Sequence, residues 1–296
     1  MATIAFIGLG HMGAPMMRNL LKAGHRVRAF DVVEAALIAA SGVGAEVASS
    51  PAEAAREAEV TVTMLPAGAH VRQVYLGDGG IIAAARPGSL LIDSSTIDVA
   101  SAREVHKAAE ARGLAFVDAP VSGGVGGAEA GTLTFMVGGA DDAYRRAEPI
   151  LAHMGKAVIS AGGPGTGQAA KICNNMILGI SMIATGEAFA LAEKLGLEHQ
   201  KLFDIASKSS GQCWSLTSYC PVPGPVPTSP ANRDYQPGFT AAMMLKDLKL
   251  AVEAGQVSGA ALPLGGEAAQ LYTLFCNAGE AGTDFSGIIK MLRGRS

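Results

Sequence analysis

The segment AKICNNMILGI, residues 169–179, places one lysine and two asparagines at the start of a long apolar run. On a helix Lys171 and Asn175, four residues apart, share a face with Asn174 close beside them. Two readings are open. The groups are solvated at a helix end, or they converge on something polar between domains. A second set of residues is more explicit. Gly8, Gly10 and Gly13 in IGLGHMG form G-x-G-x-x-G, with Leu9, His11 and Met12 between them, directly after an apolar strand and opening a helix. That pattern supplies a tight turn, a close backbone approach to a pyrophosphate, and a helix N-terminus facing the anion. Asp31 ends the next apolar strand, eighteen residues beyond Gly13, where a carboxylate accepts hydrogen bonds from an adenosine ribose. A carboxylate repels a 2′-phosphate, and Val32 and Val33 follow it where a phosphate binder often has Arg. NAD is therefore expected rather than NADP. Arg28 shares a strand face with Phe30 and is discounted.

In DAPVSGG, Ser122, Gly123 and Gly124 follow another strand end. Consecutive glycines let the backbone turn its N–H groups into a concave nest suited to a carboxylate, a flexible loop being the plainer reading. MLPAGAHV (64–71) puts Leu65, Pro66 and His70 after a strand, and DSST (93–96) adds Ser95 and Thr96. Each alone reads as an ordinary loop or cap. Their common position makes them candidates, because ligands gather at the carboxyl edge of such sheets.

The elements that must hold these residues are visible in the alternation of patterns. Short β-rich runs at 3–8, 26–31, 59–65, 88–95 and 114–120 alternate with helical periodicity. Further strands are read at 132–139 and 156–160 around a helix at 141–153. Such alternation predicts βαβ units and a mainly parallel sheet with helices on both faces. After AGGPGTGQ (161–168) the strands stop, and helices are expected at about 168–194, 198–209, 240–258, 262–278 and 284–293. The α/β reading thus has two domains, 1–163 and 164–296. The stretch from Gly211 to Gly238 holds six of the fourteen prolines. Loops so long are usually functional or disordered, and Trp214, Tyr219 and Phe239 argue against disorder. The segment is read as a cover over a substrate, with Trp214 and Phe239 as apolar wall, or else as a structural brace.

Composition narrows the class. The 296 residues are 49% hydrophobic and 17% charged, enough for about two cores. Net charge is −3 with no long basic run, so neither nucleic acid nor an anionic membrane surface is an expected partner. Cys173, Cys213, Cys220 and Cys276 form no CxxC pair and read as reduced thiols. The N-terminus lacks the basic region of a signal peptide. The uncharged run between Lys171 and Glu187 is judged too short for a bilayer span. The expected compartment is the cytoplasm, or an organelle if the chain is a mature form freed of a presequence. No HExxH or other metal-ligand spacing is present, and no G-x-S-x-G elbow, so no metal is expected.

IGLGHMG, DAPVSGG, GTLTFMVGG and GQAAKICNN, in this order and spacing, resemble the β-hydroxyacid dehydrogenase family over essentially the whole chain. GQCWSLTSYCPVPG (211–224) and MLKDLKLA (244–251) narrow the resemblance to one branch. It implies an N-terminal Rossmann doubly wound sheet, a long interdomain helix, and an all-helical C-terminal domain that assists assembly, as a homodimer or homotetramer. It also implies roles. Ser122, Gly123 and Gly124 bind the carboxylate of a short hydroxyacid, Lys171 is the acid/base, and Asn175 orients the substrate. Thr96 and Lys246 lie beside the nicotinamide half of NAD, with Leu65, Pro66 and His70 along its path. Asp247 is a further candidate for the substrate pocket. The chemistry agrees: a lysine accepts a hydroxyl proton once burial and nearby positive charge bring its pKa from about 10.4 toward 7–8. The related 6-phosphogluconate dehydrogenases fit less well, having a histidine where this chain has Asn174. A non-catalytic dinucleotide module fits less well still, since such relatives lose the lysine.

Overall fold

Ile4 and Phe6 enter one apolar core while Ala5 and Ile7 enter another. That split along β1 (Thr3–Ile7) marks a strand buried on both faces. In the computed structural model, which describes residues 1–294, it is joined by β2 (Arg26–Phe30), β3 (Glu46–Val47) and β4 (Val60–Thr63). There follow β5 (Leu90–Asp93), β6 (Ala115–Asp118), β7 (Val121–Ser122), β8 (Leu133–Gly139) and β9 (Gly155–Gly162). They form one sheet in the order β3-β2-β1-β4-β5-β6-β8-β7, with β9 paired to β8. The run from β3 to β6 is parallel throughout. β6 and β7 both lie antiparallel to β8, and β9 is parallel to it. The parallel part has the order of a doubly wound dinucleotide-binding sheet, so the expected α/β class holds.

Helices α1 (Gly13–Lys22), α2 (Glu34–Gly42), α3 (Pro51–Arg56), α4 (Gly68–Leu76), α5 (Ile81–Ala84) and α6 (Val99–Glu110) connect the parallel strands. α7 (Gly124–Ala130) and α8 (Asp141–Leu151) follow in the antiparallel part. Caps fix several starts: Ser50 Oγ accepts from Glu53 N, and Asp98 Oδ1 from Ser101 N. α7 is a helix where the glycine run alone predicts a nest or a flexible loop. Buried Asn19 on α1 donates to Ala128 O, and Gly131 closes the helix in the left-handed conformation, so tertiary contacts override poor propensity.

The chain divides into two compact units, Met1–Lys171 and the part from Ile172 onward. The division falls inside α9 (Thr166–Lys194), whose first turns bond to strand ends of the first unit. The second unit continues with α10 (His199–Ala206), α11 (Trp214–Thr217), α12 (Ala241–Ser258), α13 (Pro263–Phe275) and α14 (Ile289–Leu292). One core gathers Met182, Met244, Leu248, Tyr272 and Phe285; a second gathers Phe189, Leu216, Val222, Val226 and Tyr235. The helix expected at 262–278 stops at Phe275 and passes into a π-type turn over Cys276–Glu280, where Gly279 has φ +94°. The one expected at 284–293 is a 3-10 turn, Phe285–Ile288, followed by α14.

By length and composition α9 as a whole is long and apolar enough to cross a membrane, its best window having a mean hydropathy of 1.4, although the uncharged run within it is short. Its Met182, Ile183 and Phe189 are instead buried in the cores of the second unit.

Candidate functional site

In the first unit, three loops at the carboxyl edge of the sheet are tied together. After β1, Gly8 has φ +94°, and a Cβ there would lie 2.2 Å from Met64 O. A Cβ on Gly13 would lie 1.9 Å from Gly8 O, which seats α1 directly on the strand end. A Cβ on exposed Gly10 meets nothing within 4 Å, so there the backbone is open to a ligand. The start of α1 has no side-chain cap, leaving N–H groups for an anion. Leu9 is buried, Met12 half-buried and His11 exposed. These residues fit a dinucleotide by backbone shape and not through cationic side chains.

Asp31 holds that loop. Leu9 N donates to its Oδ2 at 2.6 Å and Val33 N to its Oδ1 at 2.8 Å, so the carboxylate fixes the glycine turn while keeping acceptor capacity for a ribose. Arg28 is turned away, bonded to the Glu53 carboxylate and to Glu53 O.

The second loop follows β4. Leu65 N donates to Ser95 Oγ at 2.8 Å, joining this loop to the third, which follows β5. Pro66 and His70 are exposed nearby, His70 in the first turn of α4. Ser95 Oγ in turn donates to Asp93 Oδ1 at 2.6 Å, and Thr63 Oγ1 donates to the same oxygen at 2.6 Å. Asp93 is completely buried and its other oxygen has no partner. Burial pushes its carboxyl up to about 6, against the hydrogen bonds from Ser95 and Thr63.

Beside Asp93 in register stands Asp118, also wholly buried, at the end of β6. Its Oδ1 accepts from Gly165 N at 2.9 Å and its Oδ2 from Gln168 N at 2.8 Å, with His106 Nε2 2.9 Å from Oδ1. A carboxylate thus caps the start of α9, where the helix dipole favours it. Gln168 then reaches back: its Nε2 donates to Ser95 O at 2.7 Å and its Oε1 accepts from Ile97 N at 3.0 Å. Those two bonds bracket half-buried Thr96. Lys171, 7% exposed, lies one turn further along the helix.

Ser122 closes β7 opposite Thr134, and Gly123 follows with φ +137°, where a side chain would be strained and a Cβ would lie 3.0 Å from Leu133 Cδ2. The expected nest is therefore the start of α7, again without a side-chain cap.

In the second unit, Asn175 is buried, and its Nδ2 donates to Asp247 Oδ2 at 2.5 Å. Asn174 Nδ2 donates to Asn175 Oδ1 at 3.0 Å, so the asparagine facing Asp247 is held from both sides. Lys246 precedes Asp247 on α12 and is half-buried. Trp214 is 51% exposed and stacks on Tyr219, which stacks on Phe285; Phe239 meets Phe285 edge-on. Buried Asp284 collects Tyr219 Oη, Gly238 N and Phe239 N on one oxygen and Ser286 N and Oγ on the other. Burial and that carboxylate raise the Tyr219 phenol far above its usual range. The proline-rich stretch is thus anchored and packed, with Cys220, Val222, Val226 and Tyr235 buried.

Sequence reasoning passed over Asp93, Asp118, Gln168 and Asp284. The available signal was a charged residue closing an apolar strand run, at Asp93 and Asp118. Among the described residues no group of three or more His, Cys, Asp or Glu is placed to hold a metal ion.

Comparison with known proteins places this geometry. Residues 3–163 match the NAD binding domain of 6-phosphogluconate dehydrogenase, and residues 165–292 match the NAD-binding domain of NADP-dependent 3-hydroxyisobutyrate dehydrogenase. A probable 3-hydroxyisobutyrate dehydrogenase of Mycobacterium tuberculosis is 54% identical over 296 residues, 100% of this chain and 99% of the relative. An NAD-dependent L-serine dehydrogenase of Pseudomonas aeruginosa is 50% identical, covering 98% of each. The solved structure of Mycobacterium tuberculosis 3-hydroxyisobutyrate dehydrogenase with L-serine superposes with a TM-score of 0.96 at 54% identity, over 99% of both chains. The cofactor is NAD. The chain belongs to the β-hydroxyacid dehydrogenase family, as an NAD-dependent oxidoreductase of the branch that contains the 3-hydroxyisobutyrate dehydrogenases.

Proposed function

We propose that the protein oxidises 3-hydroxyisobutyrate to methylmalonate semialdehyde, the step that valine breakdown requires, with Lys171 as acid/base. The observation that carries this reading is a lysine at 7% exposure one turn into a helix that is itself bonded to the loop bearing Thr96. When bound, NAD supplies the hydride acceptor. Ser122, Gly123 and Gly124 hold the substrate carboxylate through backbone N–H groups at the start of α7, so no arginine is required. Lys171 takes the proton from the hydroxyl on C3, and Asn175, fixed by Asp247, orients that hydroxyl. Thr96 and Lys246 serve the nicotinamide half of the cofactor, while Leu65, Pro66 and His70 line its path. Trp214 and Phe239 face the methyl group. Asp31 selects NAD over NADP through its carboxylate.

L-serine is the second reading, supported by the Pseudomonas aeruginosa relative named for it and by its presence with the Mycobacterium tuberculosis protein. Both substrates carry a primary hydroxyl beta to a carboxylate and differ by methyl against ammonium. The test is NADH formation with 3-hydroxyisobutyrate, L-serine, 3-hydroxypropionate and 4-hydroxybutyrate. The first should give the highest kcat/KM; a tenfold advantage for serine replaces it. Lys171→Ala, run in parallel, should lower kcat by about 10²–10⁴-fold and leave NAD affinity intact. We also propose a homo-oligomer, supported by exposed apolar side chains on the second unit (Leu191, Leu195, Ile205, Leu264 and Leu274), which sedimentation can check.

A further inference from the structure

Gln168 is completely buried, yet nothing in the reaction requires an amide at its position. Its two side-chain bonds end on backbone groups immediately before and after Thr96: Ser95 O at 2.7 Å and Ile97 N at 3.0 Å. Only one orientation of the amide satisfies both, since a flip sets oxygen against oxygen and N–H against N–H. The loop is gripped at a second point as well, because Ser95 Oγ is bonded both to Asp93 Oδ1 and to Leu65 N. The other end of Gln168 is equally fixed. Its backbone N–H donates to Asp118 Oδ2, and Gly165 N donates to Asp118 Oδ1, so the first turn of α9 cannot slide along its axis without breaking both. A Cβ on Gly167 would lie 2.4 Å from Met136 O and 2.5 Å from Asp118 O, which shows how closely the turn is seated on β6 and β8. Lys171 is three residues on, adjacent on the helix surface. One side chain therefore spans the loop that carries Thr96 and the helix turn that leads to Lys171.

We propose that Gln168 is a positioning residue for the reaction, setting the register between the cofactor-side loop and the acid/base lysine. The inference rests on the roles given above to Lys171 and Thr96. A displacement near 1 Å between reacting groups can cost about 10²-fold in rate. Gln168→Met keeps the volume and removes both bonds. Gln168→Glu keeps the bond from Ile97 N but sets a carboxylate oxygen against Ser95 O; a protonated carboxyl restores the missing donor. Burial raises the pKa of such a glutamate, which brings the protonated form within a workable range.

The experiment measures kcat, hydroxyacid KM and NAD affinity for wild type, Gln168→Met, Gln168→Glu and Lys171→Ala from pH 6 to pH 9. Gln168→Met should lose about 10–100-fold in kcat at every pH relative to wild type, with KM and NAD affinity within about threefold. Gln168→Glu should show a similar deficit at pH 9 that shrinks at least fivefold toward pH 6. A merely structural role gives no such pH-dependent recovery. If Gln168→Met does not fold, the Gln168→Glu profile alone decides. A pH-independent ratio for Gln168→Glu, or kcat within twofold of wild type in both variants, overturns the proposal. Lys171→Ala separates the two levels. If it is inactive while the Gln168 variants are fully active, only the positioning role fails; if it is fully active, the acid/base assignment beneath it fails.

Discussion

Asp31 accepts from Leu9 N in the glycine turn and from Val33 N in its own loop. In the role proposed for it, the charge of the same carboxylate also disfavours a 2′-phosphate. On that proposal cofactor choice and loop integrity are linked. Asp31→Ser combined with Val32→Arg should move the NADP-to-NAD ratio of kcat/KM upward by at least about tenfold, while total efficiency falls because a charge-assisted bond worth about 1.5–3 kcal/mol is lost from the turn. A wild type that already prefers NADP defeats this reading of Asp31. Asp93 offers a different test. Its folded-state pKa is about 6 against an ordinary 3.8, so the folded protein holds the proton where the unfolded chain has released it. Stability from this group is then greatest below pH 4, falls as pH rises to about 6, and is flat above, a total change of about 3 kcal/mol. Asp118 alongside raises the same pKa, and Tyr75 joins the cluster through Thr63. Asp93→Asn should remove the slope and, measured by urea midpoint at pH 8, stabilise the fold by about 1–3 kcal/mol. A variant weaker than wild type at pH 8 refutes the argument.

Elements were legible in the sequence where their signal is local. The glycine turn, the alternating parallel strands and the long helix from 168 to 194 follow from spacing and periodicity, and α9 differs only by starting at Thr166. β3 and β7 have two residues each, too few to show a period, and α7 forms from glycines through contacts made by Asn19, 109 residues away. The supporting carboxylates were illegible for a related reason. Asp118 receives N–H groups 47 and 50 residues on, and Gln168 meets partners 71 and 73 residues back. No pattern along the chain announces such pairs. The proline-rich stretch was legible as special but not as packed. Alternate prolines carry no N–H to satisfy, which lets Val222 and Val226 go inward at little hydrogen-bond cost. Asp284 then closes the segment with five donors. Asp284→Ala should destabilise by about 3–5 kcal/mol in urea, since it strands buried donors. It should also shift the emission of Trp214, the sole tryptophan, whose stacking partner Tyr219 is held by that carboxylate. Unchanged emission and midpoint exclude the anchoring role.

At the scale of the molecule, two units share one continuous helix, and the proposed acid/base and substrate-orienting residues lie on successive turns of it. The bond network at its start fixes the phase of the turn that carries Lys171 within the first unit. Each residue of an α-helix advances about 1.5 Å and turns about 100°, so phase is conserved only if residue count is conserved. Point substitutions on exposed positions of α9, such as Ile177, leave that count alone. Length changes do not. A single alanine inserted between Gln168 and Lys171 would turn Lys171 about 100° away from the loop that Gln168 holds, although no side chain has been altered. The same insertion at Gly44, in the open turn after α2 where a Cβ meets nothing within 4 Å, adds only loop. For this chain, then, the count of residues between Gln168 and Lys171 is a condition on the proposed chemistry in its own right, one that no side chain records and that an open turn such as Gly44 does not share.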